Sequence, residues 1–190
     1  SSKANETFEA LDNKKYKLDD GMCVITDRSE VLGLGGIIGG KKTSSEIDTK
    51  NILLESAYFL PSSIRKTSRS LNINTDAKYR FERGIDPNSI KEGLEIATAL
   101  ILNICGGSAS KFEITGSYLK KNKSINLDAD KFKSIIGIAI KDQEVIKILN
   151  SLGCKVKKNN KSYKVEVPSW RPDINQDIDL VEELIRIKGF

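Results

Sequence analysis

Four carboxylates near the end of the chain could together bind a metal ion. They are Asp173, Asp179, Glu182 and Glu183. The last three are spaced i, i+3 and i+4, so on a helix they share one face. Oxygen ligands without histidine or cysteine favour Mg²⁺ or Ca²⁺. The alternative is an acidic first helical turn that complements the helix dipole, and periodicity alone leaves both open.

Glu55 is a second candidate, because it lies inside the apolar run Ile52–Phe59. The run predicts a buried strand. A carboxylate there is costly unless it faces solvent or meets a hydrogen-bond donor. Glu55 is therefore either on a wet face of the strand or a pocket carboxylate that accepts a hydrogen bond from a ligand hydroxyl.

The glycine run Gly35–Gly40, followed by Lys41, has the spacing of a phosphate-binding loop. Such a loop needs a hydroxyl residue next, but Lys42 stands there and Thr43 comes one position late. No apolar helical stripe follows that would present a helix N-terminus to a phosphate. The run is better explained as a turn where backbones approach closely, or as a pocket wall.

A locally basic region lies between residues 65 and 83. It contains Arg65, Lys66, Arg69, Lys78, Arg80 and Arg83. A solvated charged face and a phosphate-contacting surface both fit this composition.

The composition removes several kinds of chemistry. The 190 residues include no histidine, so Ser–His–Asp catalysis, Cys–His catalysis and histidine-ligated zinc cannot be built from this sequence alone. The three cysteines are scattered, which predicts reduced thiols in a cytosolic protein. The net charge of +5 permits an anionic partner. No apolar run reaches the ~18 residues of a membrane helix, and no secretory signal is visible.

The predicted elements that must position these residues give an α+β fold in two domains. The polar, charged stretch Lys120–Lys123 separates residues 1–119, a mixed α/β domain, from residues 120–190, a small α+β domain. Capping signals predict helices after Thr75, Asp86, Asp128 and Asp142, and from Asp177 to Lys188. Asn159 and Asn160 predict a hairpin turn, and Phe112–Ile114 a strand.

Several strings together resemble the bacterial type of phenylalanyl-tRNA synthetase beta subunit. They are Val24–Asp27 (VITD), Gly35–Gly40 (GGIIGG), Leu53–Phe59 (LLESAYF), Asn74–Pro87 (NTDAKYRFERGIDP), Val167–Asp173 (VPSWRPD) and Asp179–Gly189 (DLVEELIRIKG). Their order and spacing agree over nearly the whole chain. Because the family's subunit is several times longer, the resemblance implies an internal fragment. It would hold most of the editing domain, without its N-terminal part, and the whole winged-helix-like domain after it.

The resemblance implies roles for particular residues. Glu55 would recognise the hydroxyl of tyrosine wrongly attached to tRNA(Phe), and Gly39, Thr75 and Ala77 would line the pocket. Phenylalanine would leave a buried acceptor unpaired, so such a carboxylate can discriminate strongly. The four C-terminal carboxylates would hold Mg²⁺ at the interface with the alpha subunit. No catalytic nucleophile is expected, and the family's editing histidines would lie upstream, so the pocket is expected to be incomplete.

The resemblance also implies the partners of the intact enzyme. They are an alpha subunit in a heterotetramer of two alpha and two beta subunits, tRNA(Phe), ATP and phenylalanine. The intact enzyme would attach phenylalanine to tRNA in the cytoplasm, whereas this chain alone should not. The alternative from another class is a non-catalytic nucleic-acid-binding module that uses the basic regions and the C-terminal domain. A nucleotide-binding P-loop is a third, weaker hypothesis.

Overall fold

The computed structural model of the chain describes residues 1–116, 123–129, 134, 135, 137 and 140–189. It divides into two compact units. One unit comprises residues 1–85 and 89–112, and the other residues 86–88 and 113–190. The predicted boundary between residues 119 and 120 lies outside the described residues and stays a prediction.

The N-terminal unit combines two small antiparallel sheets with helices. The strands are β1 (Thr7–Glu9), β2 (Lys15–Lys17), β3 (Val24–Thr26), β4 (Val31–Leu34) and β5 (Ile38–Gly39). β1 pairs with β2, and the other three follow the order β3-β4-β5. The helices are α1 (Pro61–Ser70), α2 (Asp76–Phe81) and α3 (Ile90–Cys105). Its core consists of Phe8, Ala10, Leu18, Met22, Leu34, Ile37, Ile64 and Ile73.

Local signals set the ends of these helices. Pro61 occupies the first position of α1, where its fixed φ suits a helix and no N–H is needed. Thr75 caps α2 as predicted, since its side chain accepts a hydrogen bond from the backbone N–H of Lys78. A short 3₁₀ turn, Pro87–Ser89, comes between Asp86 and α3, and α3 ends at Gly106 with φ of +73°.

The strand prediction for Ile52–Phe59 was wrong. Residues 51–60 have no regular secondary structure, and Ile52, Leu53 and Leu54 are exposed. The predicted strand at Phe112–Ile114 is also absent. A strand needs a hydrogen-bonded neighbour, and no described strand pairs with either segment. Apolar composition alone therefore could not show whether these two segments pair with a neighbouring strand.

The C-terminal unit packs two helices against one face of a three-stranded antiparallel sheet. The strands are β6 (Lys123–Asp128), β7 (Lys155–Asn159) and β8 (Ser162–Val167), in the order β6-β8-β7. The helices are α4 (Asp142–Ser151) and α5 (Asp177–Lys188). The core includes Ile125, Leu127, Val145, Leu149, Tyr163, Val165, Leu180 and Leu184. The hairpin at Asn159–Asn160 and the last helix are confirmed, and the class is α+β.

Two capping predictions in this unit had other outcomes. The helix predicted from Asp128 to Ile136 falls largely on residues outside those described. Asp142 does not cap α4, because the N-cap is Lys141 without a side-chain hydrogen bond. The Asp142 carboxylate instead accepts hydrogen bonds from Lys158 and from the buried Tyr163. Asp142 therefore contacts a strand residue in place of the predicted cap on its own helix.

Candidate functional site

Glu55 is an exposed carboxylate in the N-terminal unit, and the residues around it desolvate it only in part. Among the described residues it has no hydrogen bond or ion pair. Burial raises the pKa of its carboxyl above the ordinary value, and no cation counteracts this. Burial also raises the pKa of the Cys23 thiol, and the negative charge of Glu55 adds to that shift. The oxygens of Glu55 are therefore open to solvent or to a ligand.

The segment that carries Glu55 is held by its neighbours. The hydroxyl of Ser56 donates a hydrogen bond of 2.8 Å to the carbonyl of Ile90. Four residues after Glu55, the ring of Phe59 meets that of Phe81 edge-on, with centroids 5.3 Å apart. These contacts fix both sides of a segment that has no strand partner.

Two glycines between β4 and β5 make room for Phe59. A Cβ atom on Gly35 would lie 2.7 Å from Cε1 of Phe59 and 3.0 Å from Sγ of Cys23. A Cβ on Gly36 would lie 2.9 Å from Cδ2 of Phe59, and its φ of +68° favours glycine as well. At Gly35 and Gly36 a side chain approaches the turn. The predicted close approach of backbones is found at Gly40, where a Cβ would lie 2.5 Å from the carbonyl oxygen of Leu32.

Thr75 connects α2 to the same turn. Its hydroxyl donates a hydrogen bond of 2.6 Å to the carbonyl of Ile37, directly after Gly36. Phe81 at the other end of α2 contacts Phe59. The glycine turn, the segment of Glu55 and α2 therefore form one continuous cluster.

The structure relates the other two predicted pocket residues to this cluster less directly. Ala77 is half-buried in the first turn of α2. Gly39 is exposed in β5 opposite Gly33, and the atoms nearest to a Cβ there belong to Leu11. The sequence interpretation did not select Cys23, Phe59 or Phe81 as site residues.

The lysines after the glycine run are paired within the protein. Lys41 forms a 3.0 Å ion pair with Glu9, and Lys42 pairs with Glu30. No helix begins after the run within the fully described residues 35–60. These lysines are thus not arranged to cradle a phosphate, which argues against the P-loop hypothesis.

Three of the six basic residues between residues 65 and 83 contact Glu82. Lys78 and Arg83 form ion pairs of 3.1 and 3.0 Å with its carboxylate. Arg65 donates a 2.6 Å hydrogen bond to its backbone carbonyl. Because these three cations already have partners, the contacts favour a structural role over phosphate contact for Arg65, Lys78 and Arg83.

The C-terminal carboxylates are compensated by arginines. The Arg171 guanidinium donates to both oxygens of Asp173 and, at 2.7 Å, to Glu183. Arg186 reaches the second oxygen of Glu183 at 2.5 Å. The hydrogen bonds from Arg171 hold the pKa of Asp173 below its ordinary value. Burial alone would raise the pKa of Glu183, but the two arginines outweigh it and lower that pKa.

The two remaining carboxylates have separate environments. Asp179 belongs to a capping box at the start of α5, where it accepts hydrogen bonds from the backbone N–H groups of Asn175 and Gln176. Glu182 is exposed. Within the described part of the chain, no group of three or more acidic or cysteine side chains is arranged to hold a metal ion. This arrangement of Asp173, Asp179, Glu182 and Glu183 therefore does not fit Mg²⁺.

No helix in the described ranges is both long and apolar enough to cross a membrane.

Family models match both parts of the chain. Residues 1–106 match the B3/4 domain, and residues 125–190 match the tRNA synthetase B5 domain. The chain therefore belongs to the B3/4 domain family and carries a B5 domain after it.

The most similar curated relatives share one name. The phenylalanine–tRNA ligase beta subunit of Ruegeria pomeroyi is 44% identical over 182 residues, which are 96% of this chain and 22% of the relative. That of Rhodopseudomonas palustris is 42% identical over 188 residues, 99% of this chain and 23% of the relative. The chain thus spans less than a quarter of the length of these relatives.

An N-terminal fragment of the phenylalanyl-tRNA synthetase beta subunit from Pyrococcus horikoshii has a TM-score of 0.48 and 16% identity, over 100% of this chain and 55% of that one. That likeness is too distant to place side chains.

Proposed function

We propose that the chain is the part of a phenylalanine–tRNA ligase beta subunit that selects tyrosine mischarged on tRNA(Phe) for hydrolysis. The observation that carries the proposal is Glu55, an exposed and partly desolvated carboxylate without a described partner. Relatives named as this subunit match 96% of the chain or more at over 40% identity, which supports the wider assignment.

Glu55 would act as a selector. A tyrosine hydroxyl can donate a hydrogen bond to its carboxylate, whereas phenylalanine would displace water from the carboxylate and leave it unpaired. Hydrolysis would then follow from water attack on the positioned ester, since no described residue near Glu55 forms a nucleophile–base pair. The contacts of Phe59 and Ser56 would keep the carboxylate in place. Gly39, Thr75 and Ala77 stay proposed as lining residues.

The test uses the beta-subunit-length protein together with its alpha subunit. Glu55→Ala should slow the release of tyrosine from tyrosyl-tRNA(Phe) by about tenfold or more and leave charging with phenylalanine unchanged. Glu46→Ala, at an exposed glutamate of the same unit, is the matched control. Unchanged tyrosine release in the Glu55 variant would remove the selector role.

The partners of the intact enzyme belong to the proposal as well. They are the alpha subunit in a tetramer of two alpha and two beta subunits, tRNA(Phe), ATP and phenylalanine, in the cytoplasm. The 190-residue chain alone should not aminoacylate. Incubating it with tyrosyl-tRNA(Phe), with the longer subunit as a positive control, measures how much of the hydrolysis it performs by itself.

Magnesium binding at the C-terminal carboxylates stays a prediction of the family resemblance. In the arrangement described here, binding would require Arg171 to release Asp173 and Glu183. Titration calorimetry of the chain with Mg²⁺ should therefore show no binding, and Arg171→Met should bind more tightly than wild type. Equally tight binding by both proteins would show that Arg171 does not compete with the ion.

A further inference from the structure

The backbone around Glu55 has no hydrogen-bonded ladder to hold it in place. Residues 51–57 belong to no helix or strand, and they form no backbone–backbone hydrogen bond with any described residue. The Glu55 side chain is exposed and has no described partner. A carboxylate that selects a ligand has to stay within about 0.5 Å of its productive position. The chain beside Glu55 therefore needs another contact if Glu55 is to select.

Ser56 makes such a contact directly after Glu55. Its hydroxyl donates a 2.8 Å hydrogen bond to the backbone carbonyl of Ile90, 34 residues further along the chain. Both Ser56 and Ile90 are half-buried. The Phe59 ring, the other contact described above for this segment, is four residues from Glu55, which corresponds to as much as about 13 Å of chain. Ser56 is only one residue away, so its hydrogen bond restrains the backbone of Glu55 more closely.

The acceptor of this hydrogen bond belongs to a regular element. Ile90 is the first residue of α3, and the carbonyl groups of a helix point along its axis. The direction of the acceptor is therefore set by a helix and not by a second loop. A Cβ atom on Gly93 would lie 3.7 Å from Oγ of Ser56, which places the hydroxyl against the first turn of α3. The contact thus attaches the segment of Glu55 to the start of α3.

We propose that Ser56 is a positioning residue for Glu55, and that its hydrogen bond to α3 keeps the carboxylate where a tyrosine hydroxyl can reach it. The inference rests on the proposed function, in which Glu55 accepts that hydrogen bond. Ser56 is half-buried against α3 while Glu55 beside it is exposed, so the bond leaves the carboxylate on the outside of the unit. Ser56 cannot itself donate to the ligand, because its one O–H group is already used.

The first test removes the hydroxyl in the beta-subunit-length protein together with its alpha subunit. Ser56→Ala should slow the release of tyrosine from tyrosyl-tRNA(Phe) roughly fivefold, the effect of one lost hydrogen bond, and leave charging with phenylalanine unchanged. Ser56→Thr keeps the hydroxyl and should retain most of the wild-type rate. Ser56→Gly also removes the hydroxyl and gives the same test if the alanine variant does not fold.

Thr98→Val is the matched control for Ser56→Ala. The Thr98 hydroxyl also donates to a backbone carbonyl of α3, that of Leu94 at 2.7 Å, but it lies two turns beyond Ile90. The control therefore removes the same kind of bond from the same helix at a distance from Glu55, and tyrosine release should stay at the wild-type rate. Equal slowing by the two variants would show a general effect on α3 and overturn the proposal.

A double-mutant cycle measures whether Ser56 acts through Glu55. In the Glu55→Ala background, Ser56→Ala should cause no further slowing, because the group that it positions is gone. The same fold-slowing in both backgrounds, which a merely structural role would produce, would overturn the proposal. So would wild-type release by Ser56→Ala. If Glu55→Ala slows release and Ser56→Ala does not, this inference alone fails. If Glu55→Ala itself leaves release unchanged, the proposed function fails and this inference fails with it.

Discussion

Partial desolvation acts to raise the pKa of both Glu55 and Glu183, but the fold treats the two carboxylates in opposite ways. Glu183 is only 12% exposed and has Arg171 at 2.7 Å and Arg186 at 2.5 Å. Glu55 has no described partner. Its pKa is raised, whereas that of Glu183 is lowered. Where the charge is satisfied internally, little capacity remains for a ligand. The comparison therefore favours a structural role for Glu183, whereas Glu55 stays available for the ligand contact proposed above.

The two sites are also positioned by different forces. Phe59 fixes the segment of Glu55 by packing on Gly35 and Gly36 and against Phe81. Arg171 links the loop at Asp173 to α5 through charged hydrogen bonds. Substitutions that change volume should therefore disturb the first site, and substitutions that remove charge should disturb the second.

The largest expected effect is at Arg171. Replacing it with methionine leaves Glu183 shielded with only one cation and Asp173 with none. Loss of one partner of a buried pair costs 3–5 kcal/mol, and partial exposure reduces this to about 2–3 kcal/mol of unfolding free energy. Trp170, the only tryptophan, lies beside Gly153 in the same unit. Its fluorescence during urea unfolding at pH 7 provides the measurement.

Arg186→Met is the matched control for Arg171→Met. Arg186 is 55% exposed and spaced i,i+3 from Glu183, so its loss should cost only about 0.5 kcal/mol. Arg171→Met/Glu183→Met should recover much of the lost stability, because an apolar pair can replace a buried ion pair. Equal effects of the two single arginine variants would contradict the central role of Arg171.

The second prediction concerns the packing of the Glu55 segment. Gly35→Ala would bring a Cβ to 2.7 Å from the Phe59 ring, which should cost about 1–3 kcal/mol in the N-terminal unit. Gly33→Ala is the control, since its Cβ would meet its nearest neighbours at 3.5 Å. Hydrogen exchange of residues 1–112 measures the loss, and the Trp170 signal should stay unchanged. Equal exchange in the two variants would show that Phe59 is free to move away.

The sequence predicted those features that depend on neighbouring residues. Thr75 as a cap, Gly106 as a helix end and the last helix at Asp177–Lys188 all follow from local chemistry. The hydrophobic run at Ile52–Phe59 was recognised, but pairing depends on a partner that local sequence does not specify. The Asp142 carboxylate accepts a hydrogen bond from Tyr163, 21 residues away, and does not cap its own helix.

The candidate sites were predictable to different degrees. Glu55 stood out because a carboxylate in an apolar run is unusual. The structure leaves it exposed and without a described partner, and its pocket role stays a prediction. The four C-terminal carboxylates also stood out, but the sequence interpretation did not consider that Arg171 and Arg186 could supply the compensating charge. Arg171 reaches Glu183 across 12 residues through the loop before α5, so helical periodicity could not reveal the contact.

The smallest expected effect is a difference in the sign of pH dependence. At pH 7 Glu55→Gln should stabilise the N-terminal unit by less than about 1 kcal/mol, because it removes a charge that burial disfavours. As the pH falls through the raised folded pKa toward 4.5, wild-type Glu55 takes up a proton and the advantage disappears.

Glu183→Gln should instead destabilise the C-terminal unit at pH 7. That deficit should shrink as the pH falls below 4.5 through the lowered folded pKa, where the wild type loses the contribution of its ionised carboxylate. Hydrogen exchange for Glu55 and Trp170 fluorescence for Glu183, each at pH 7 and pH 4, measure the two signs. A destabilised Glu55→Gln at pH 7 would mean that Glu55 is already compensated, and the contrast between the two sites would be lost.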